Sequence, residues 1–157
     1  MKTTLLKSKW PFLAALCGGF VLSVAVCFGA HPAYLHARGD MWLALQYLQE
    51  TPQTAPAQKE HLRYARDETQ RAIDEVDKAI IIDGKPMNVR PPVDAHLDQQ
   101  GRVHRAAELL RQARTDISGA ESDPNAGQWR RAAYQHIDQA LNSCKAAARA
   151  VGSDIQY

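Results

Sequence analysis

Cysteine is almost missing from the part of this chain that can build a core. Of its three cysteines, Cys17 and Cys27 lie in an apolar N-terminal stretch and only Cys144 lies beyond it. A lone cysteine cannot close an internal disulfide, so the domain must be held by packing rather than by cross-links. No C-x-x-C-H string occurs, which excludes covalent c-type haem attachment. No H-E-x-x-H occurs, and no Glu-x-x-His falls on an inward helical face, which removes zinc-peptidase and di-iron bundle chemistry. Strand-like alternation of apolar and polar residues is absent throughout. Long basic runs are missing too. Arg130-Arg131 and the pair Arg102 and Arg105 are too short for a phosphate track, and aromatic residues make up only 7% of the chain.

What is present begins with a targeting segment. Lys2, Lys7 and Lys9 precede an uncharged stretch from Trp10 to Phe28, closed by Gly29, Ala30, His31 and Pro32. That layout reads as a secretory signal. Its length also approaches the roughly 20 residues that span a bilayer, so an uncleaved anchor is the other reading. Cleavage after Gly29 or after Ala30 fits a small-residue site imperfectly. Val24-Ala25-Val26-Cys27 resembles a lipidation signal except for the bulk of Val26. Three of the 19 basic residues and none of the 17 acidic ones fall within 1–30, so the remainder is near neutral with a slight acidic excess. The electrostatic case for nucleic acid disappears with the leader. Roughly 120 residues remain, enough to bury about 65% of the unfolded surface as one domain.

Four stretches of helical periodicity follow the leader. The first starts at Pro32, places Tyr34, Met41, Leu45 and Leu48 on one face with Leu35, Ala37, Trp42 and Ala44 beside them, and ends at Thr51-Pro52. The second is expected to be capped by Thr54, carries Leu62, Ala65, Thr69, Ala72, Ile73, Val76 and Ile80, and stops at Asp83-Gly84. A proline-rich loop through Pro86, Pro91 and Pro92 leads to Asp94, the expected cap of a third helix with Val103, Ala106, Leu109, Leu110, Ala113 and Ile117 inward. Asp123-Pro124 restarts the chain. The fourth helix carries Trp129, Ala133, His136, Ile137, Ala140, Cys144, Ala147 and Val151 to a stop at Gly152. The charges of helix two, Glu68 among them, read as a solvated face.

An offset of 62 aligns Ala33, Leu35, Gly39, Ala44 and Leu48 with Ala95, Leu97, Gly101, Ala106 and Leu110. An offset of 64 aligns Arg66, Ile73 and Asp74 with Arg130, Ile137 and Asp138. The expectation is an all-α, antiparallel up-down-up-down four-helix bundle over 31–152, made of two paired hairpins. A signal or anchor helix over 1–30 precedes it, and a frayed tail over 153–157 follows.

The strings His31-Pro32-Ala33-Tyr34-Leu35-His36-Ala37, Pro91-Pro92-Val93-Asp94-Ala95-His96-Leu97, Gly101-Arg102-Val103-His104-Arg105-Ala106 and His136-Ile137-Asp138 resemble those of small exported bacterial helical-bundle proteins with no characterised activity. The resemblance covers most of the chain beyond the leader. It implies an exported helical domain and supplies no functional residue or cofactor.

Histidine is the residue type best suited to carry chemistry here, at positions 31, 36, 61, 96, 104 and 136. His136 falls within the fourth stripe and His96 near the third, while His104 points away from it. One reading is a metal site drawing on His31, His36, His96 and His136. Copper would bind the amine and ring of an exposed His31, or a b-type haem would lie between Met41 and His136. The plainer reading makes these histidines core-edge or solvated residues, because inward-facing ones are too few to fill a coordination sphere. Cys144 reads as a small core residue. Asp98 and Asp94 near His96 could imitate a proton-transfer group, although capping explains Asp94. The function expected is thus a non-catalytic binding or structural role in the cell envelope, toward a small ligand or envelope protein. No nucleic acid is involved, and the membrane is met only through the N-terminal segment. The alternative is a histidine-based metal or haem bundle.

Overall fold

A computed structural model describes residues 32–82, 96–118 and 124–156. The expected leader over 1–30, His31 and Asp94 lie outside them. The described residues form four helices and no strand: α1 (Pro32–Tyr47), α2 (Pro56–Ile82), α3 (Gln99–Asp116) and α4 (Pro124–Arg149). No described helix is long and apolar enough to cross a membrane.

The helix ends follow local chemistry, with two changes from expectation. Thr54 does not cap α2. Its Oγ1 accepts from Thr51 N–H at 2.8 Å and closes the preceding turn. Ala55 holds the cap position before Pro56, and Gln58 Oε1 reaches back to its N–H at 3.3 Å, one half of a capping box. α3 begins at Gln99, and its cap is Asp98, whose Oδ1 accepts from Gly101 N–H at 2.7 Å. The site suits glycine, because a Cβ on Gly101 would lie 3.0 Å from that oxygen. Gly152 stops α4 as expected. With φ at 74° it lets its own N–H reach Arg149 C=O and that of Ser153 reach Ala148 C=O, both at 3.0 Å. Those two bonds satisfy carbonyls that a helix end otherwise leaves open.

α2 packs most extensively on α4, and α1 on α3, with lesser contacts between α1 and α2 and between α3 and α4. Every contacting pair is antiparallel. Arg38 Nε donates to Asp77 Oδ1 at 2.5 Å between α1 and α2, and Arg114 Nε to Asp138 Oδ1 at 2.7 Å between α3 and α4. The end of α1 meets the start of α3, where Arg102 donates to Gln46 C=O at 2.8 Å and Thr51 Oγ1 to Gln99 Oε1 at 2.8 Å. The start of α2 meets the end of α4 through Gln58 Nε2 and Ala147 C=O at 3.2 Å. Lys78 lies 4.9 Å from the Trp129 ring at the other end.

The order is therefore up-down-down-up, not the alternating order expected. α2 and α3 run in the same direction at opposite corners. The chain leaves α2 at one end of the bundle and enters α3 at the other, a separation of about 40 Å for a helix of 27 residues. Side-chain periodicity identifies a buried face but carries no direction, which is why the sequence could not separate the two orders.

The seam has a simple composition. Buried positions recur with spacing 3-4-3-4, and alanine alternates with a larger residue. Examples are Tyr34, Ala37, Met41, Ala44 and Leu48 on α1, and Val103, Ala106, Leu110, Ala113 and Ile117 on α3. This is the 3.5-residue repeat of a left-handed bundle. The Gln58–Ala147 contact sets a register that puts Ala65, Ala72 and Ala79 level with Ala140, Ala133 and Ala126. Thr51–Gln99 likewise puts Ala37 and Ala44 level with Ala113 and Ala106. Methyl facing methyl every seventh residue allows helix axes to approach to the short end of the ~8–10 Å range.

Three expected positions differ. Leu45 is half-buried, while Tyr47 is inside, 3% exposed. Val151, expected inside, is 41% exposed, because the chain has already left the helix there. The tail does not fray within the described residues. Ile155 is only 5% exposed and joins the core, and Ser153 Oγ bonds Gln100 Nε2 and lies 3.3 Å from His104 Nε2.

Candidate functional site

The most developed cluster of titratable groups spans the middle of the α2–α4 seam. His136 sits beside buried Ile137 on α4, at the edge of the stripe. Glu68 falls between Ala65 and Ala72 on α2, so its backbone position faces the partner helix. His136 Nδ1 lies 2.7 Å from Glu68 Oε2, and Arg71 donates to Glu68 Oε1 at 2.6 Å. The side chain of Glu68 is 10% exposed, that of His136 25% and that of Arg71 61%. The carboxylate is thus held between a surface guanidinium and a half-buried imidazole, both its oxygens engaged. Burial of a charge is tolerable with two such partners and costly without them. The Nδ1 contact to Glu68 fixes the orientation of the ring and leaves Nε2 pointing away from the carboxylate.

Such a pair is the orienting half of a nucleophile-activating triad, and also the outer half of a carboxylate–histidine metal ligand. Both need a further partner. Among the described residues, no group of three or more His, Cys, Asp or Glu side chains is arranged to hold a metal ion.

The other histidines named from sequence are not brought to this point. His36 is exposed, one turn into α1 at the end where α1 begins. His96 is exposed just before α3, at the opposite end, on a recess it shares with Thr51 and Gln53. His31 lies outside the described residues. Met41 is fully buried on α1, whereas the His136 ring is taken by Glu68 at the edge of the α2–α4 seam, so the two are not brought together as a haem pair. His104, expected to project away from the stripe, is half-buried against Ser153.

Cys144 is fully buried, and desolvation pushes its thiol up to about 12. A thiol so placed stays protonated at neutral pH and does not act as a nucleophile. We expect Cys144 to resist a thiol-directed disulfide reagent in the native protein and to react after unfolding in guanidinium, read at its own peptide because the chain also carries Cys17 and Cys27. Rapid native labelling would contradict this burial.

Asp40, on the α1 face toward α3, has its carboxyl pushed above the usual value of 3.8. Burial is the main cause and Asp116 adds to it, against opposing effects of His36 and Arg105. A carboxyl raised in the fold favours the folded state while protonated, and that contribution is lost as pH rises through the folded value. Asp40→Asn is therefore expected to stabilise the protein at neutral pH. The difference should close as the pH falls below 3.8. Urea midpoints across that range measure it, and a pH-independent difference would count against the assignment.

Sequence reasoning passed over Glu68, reading it with the mixed charges of α2. The signal was present, since Glu68 lies three residues after Ala65 and four before Ala72. Gln58 and Gln99, 3% and 7% exposed, were missed because an amide gives no apolar periodicity.

The chain matches no family model, no curated protein and no solved structure.

Proposed function

We propose that this chain is an exported, non-catalytic helical bundle that binds a small ligand or a protein in the cell envelope, tethered or delivered there by its N-terminal segment. The observation that supports the non-catalytic part is the placing of two chemically capable side chains among the described residues. His136 is fixed to Glu68, which Arg71 also holds, and Cys144 is sealed in the core. Both serve the joint between α2 and α4. Export rests on the arrangement of Lys2, Lys7 and Lys9 before the apolar stretch from Trp10 to Phe28.

The test is the mass and compartment of the protein in its native host. A mature chain beginning at Ala30 or His31 in the exported fraction is expected. A mass consistent with lipid on Cys27, or an intact chain in the membrane fraction, would mean a tethered form of the same protein. An intact chain in the cytoplasm would overturn export.

A second reading, a metal- or haem-binding bundle, draws on the carboxylate-held imidazole of His136, the arrangement that orients metal-ligating histidines. Absorbance and elemental analysis of protein purified from the host separate the two. Stoichiometric copper or a Soret band would overturn the plain binding role.

A further inference from the structure

The two ends of the bundle differ in charge. Where α1 and α4 finish and α2 and α3 start, each helix carries a charge in or beside its terminal turn: Glu50, Lys59, Asp98 and Arg149. At the other end the first turns of α1 and α4 and the last turn of α2, residues 32–35, 124–127 and 79–82, hold none. Among the described residues only α3 brings charge there, through Arg114 and Asp116. Helix ends in water gain stability from acids at the start and bases at the finish, and three ends here forgo it. Ile81 lies at this same end and is 63% exposed, more than any other large apolar side chain among the described residues. One exposed isoleucine is ordinary by itself. Here it sits among charge-free helix ends, whereas Val151, exposed at the opposite end, lies beside the Arg149–Asp154 pair.

The chain itself indicates what meets this end. Only Gly29, Ala30 and His31 stand between Phe28, the last residue of the uncharged stretch, and Pro32, the first of α1. Even fully extended, that connection spans about 14 Å. A bilayer that holds the stretch therefore has the start of α1 close beside it, and with it the end of α2 and the start of α4. The charged end is a helix length further away, about 40 Å along α2. Side chains slightly in from the tip suit a headgroup layer, which is roughly 5–8 Å deep on each side of a bilayer. Trp129 is half-buried in the second turn of α4, and the Lys78 ammonium lies 4.9 Å from its ring. An indole and a lysine at that depth are what a membrane boundary favours.

We infer that the bundle stands on a phospholipid surface by this end, with Ile81 entering the interface and Trp129 and Lys78 lying in the headgroup layer. This rests on the tethering read from the N-terminal segment, and adds to it the face given to lipid. The charged end then points away from the membrane.

The test uses the full chain in phosphatidylcholine vesicles, with Cys17→Ala and Cys27→Ala and with Cys144 left sealed in the core. A maleimide-linked fluorophore is attached at Ile81→Cys or, at the opposite end, at Val151→Cys. Both positions are exposed, and circular dichroism checks that each protein keeps the parent helix content. Nitroxide-bearing lipid is expected to quench the label at 81 and to leave the label at 151 at full intensity. With the label moved to exposed Gln128 near the start of α4, Ile81→Asp should reduce the quenching. Undiminished quenching in that variant would overturn the part given to Ile81. A chain that floats with the vesicles while neither label is quenched, or both are quenched alike, overturns the docking end and keeps the tether. A chain that does not float overturns the tether, and this orientation with it.

Discussion

Ala72→Leu lowers the unfolding free energy by about 1–3 kcal/mol, the cost of forcing extra methylenes into a close-packed seam. Ala72 is fully buried on α2, in register with Ala133 on α4. Neither methyl can yield, and the nearest relief is to push the two helices apart along the pair of faces that pack most extensively. That displacement would also loosen Glu68–His136, about one turn away on each helix. The matched substitution Ala57→Leu, at an exposed position of the same helix, should stay within about 0.5 kcal/mol. Urea denaturation of both variants measures the contrast. Equal effects would mean that α2 and α4 are not held at alanine-limited distance.

Leu110→Ala is expected to have the largest effect of any single truncation argued here, about 2–5 kcal/mol of stability lost. Leu110 is fully buried on α3, in the same core as Met41, Leu48, Leu62 and Ile137. Its neighbours along the seam, Ala106 and Ala113, are already minimal and cannot swell to fill the space. The loss therefore combines the transfer of the removed carbons with an unrelieved cavity. Ile81→Ala supplies the comparison, since Ile81 is 63% exposed and its loss should change stability little. Thermal unfolding followed by circular dichroism separates the two. A Leu110→Ala protein as stable as the parent would show that the α3 stripe is not a core face.

Both predictions rest on features partly legible before any coordinates. The stripe of α2 was read correctly at Leu62, Ala65, Thr69, Ala72, Ile73, Val76 and Ile80, because a clean repeat of three and four residues leaves one face to bury. The same holds for α3. At the helix ends the reading was weaker. Several residues in a row could cap α2 or α3, and choosing Ala55 over Thr54, or Asp98 over Asp94, depends on which side-chain oxygen meets which N–H. The offsets of 62 and 64 relate α1 to α3 and α2 to α4 in sequence, and these are also the pairs that pack together most extensively.

The candidate sites were less legible than the fold. His136 could be placed at a core edge from its position beside Ile137, but its partner lies 68 residues away on another helix, beyond any local pattern. His36 and His96 could be named as metal-capable and could not be located relative to each other. Ligand sets depend on where helices begin and how they are oriented, and periodicity is silent on both.

The amino-acid order by itself determined that four helices form, which face of each is oily, and that alanine recurs along those faces, since each property depends only on neighbours within a turn or two. Tertiary structure alone decided that α2 and α3 run the same way, that alanines meet level across the seams, and that Glu68 reaches His136. Those outcomes follow from the relative direction and register of separate helices, which is set by the packing of the whole core rather than by any one segment of it.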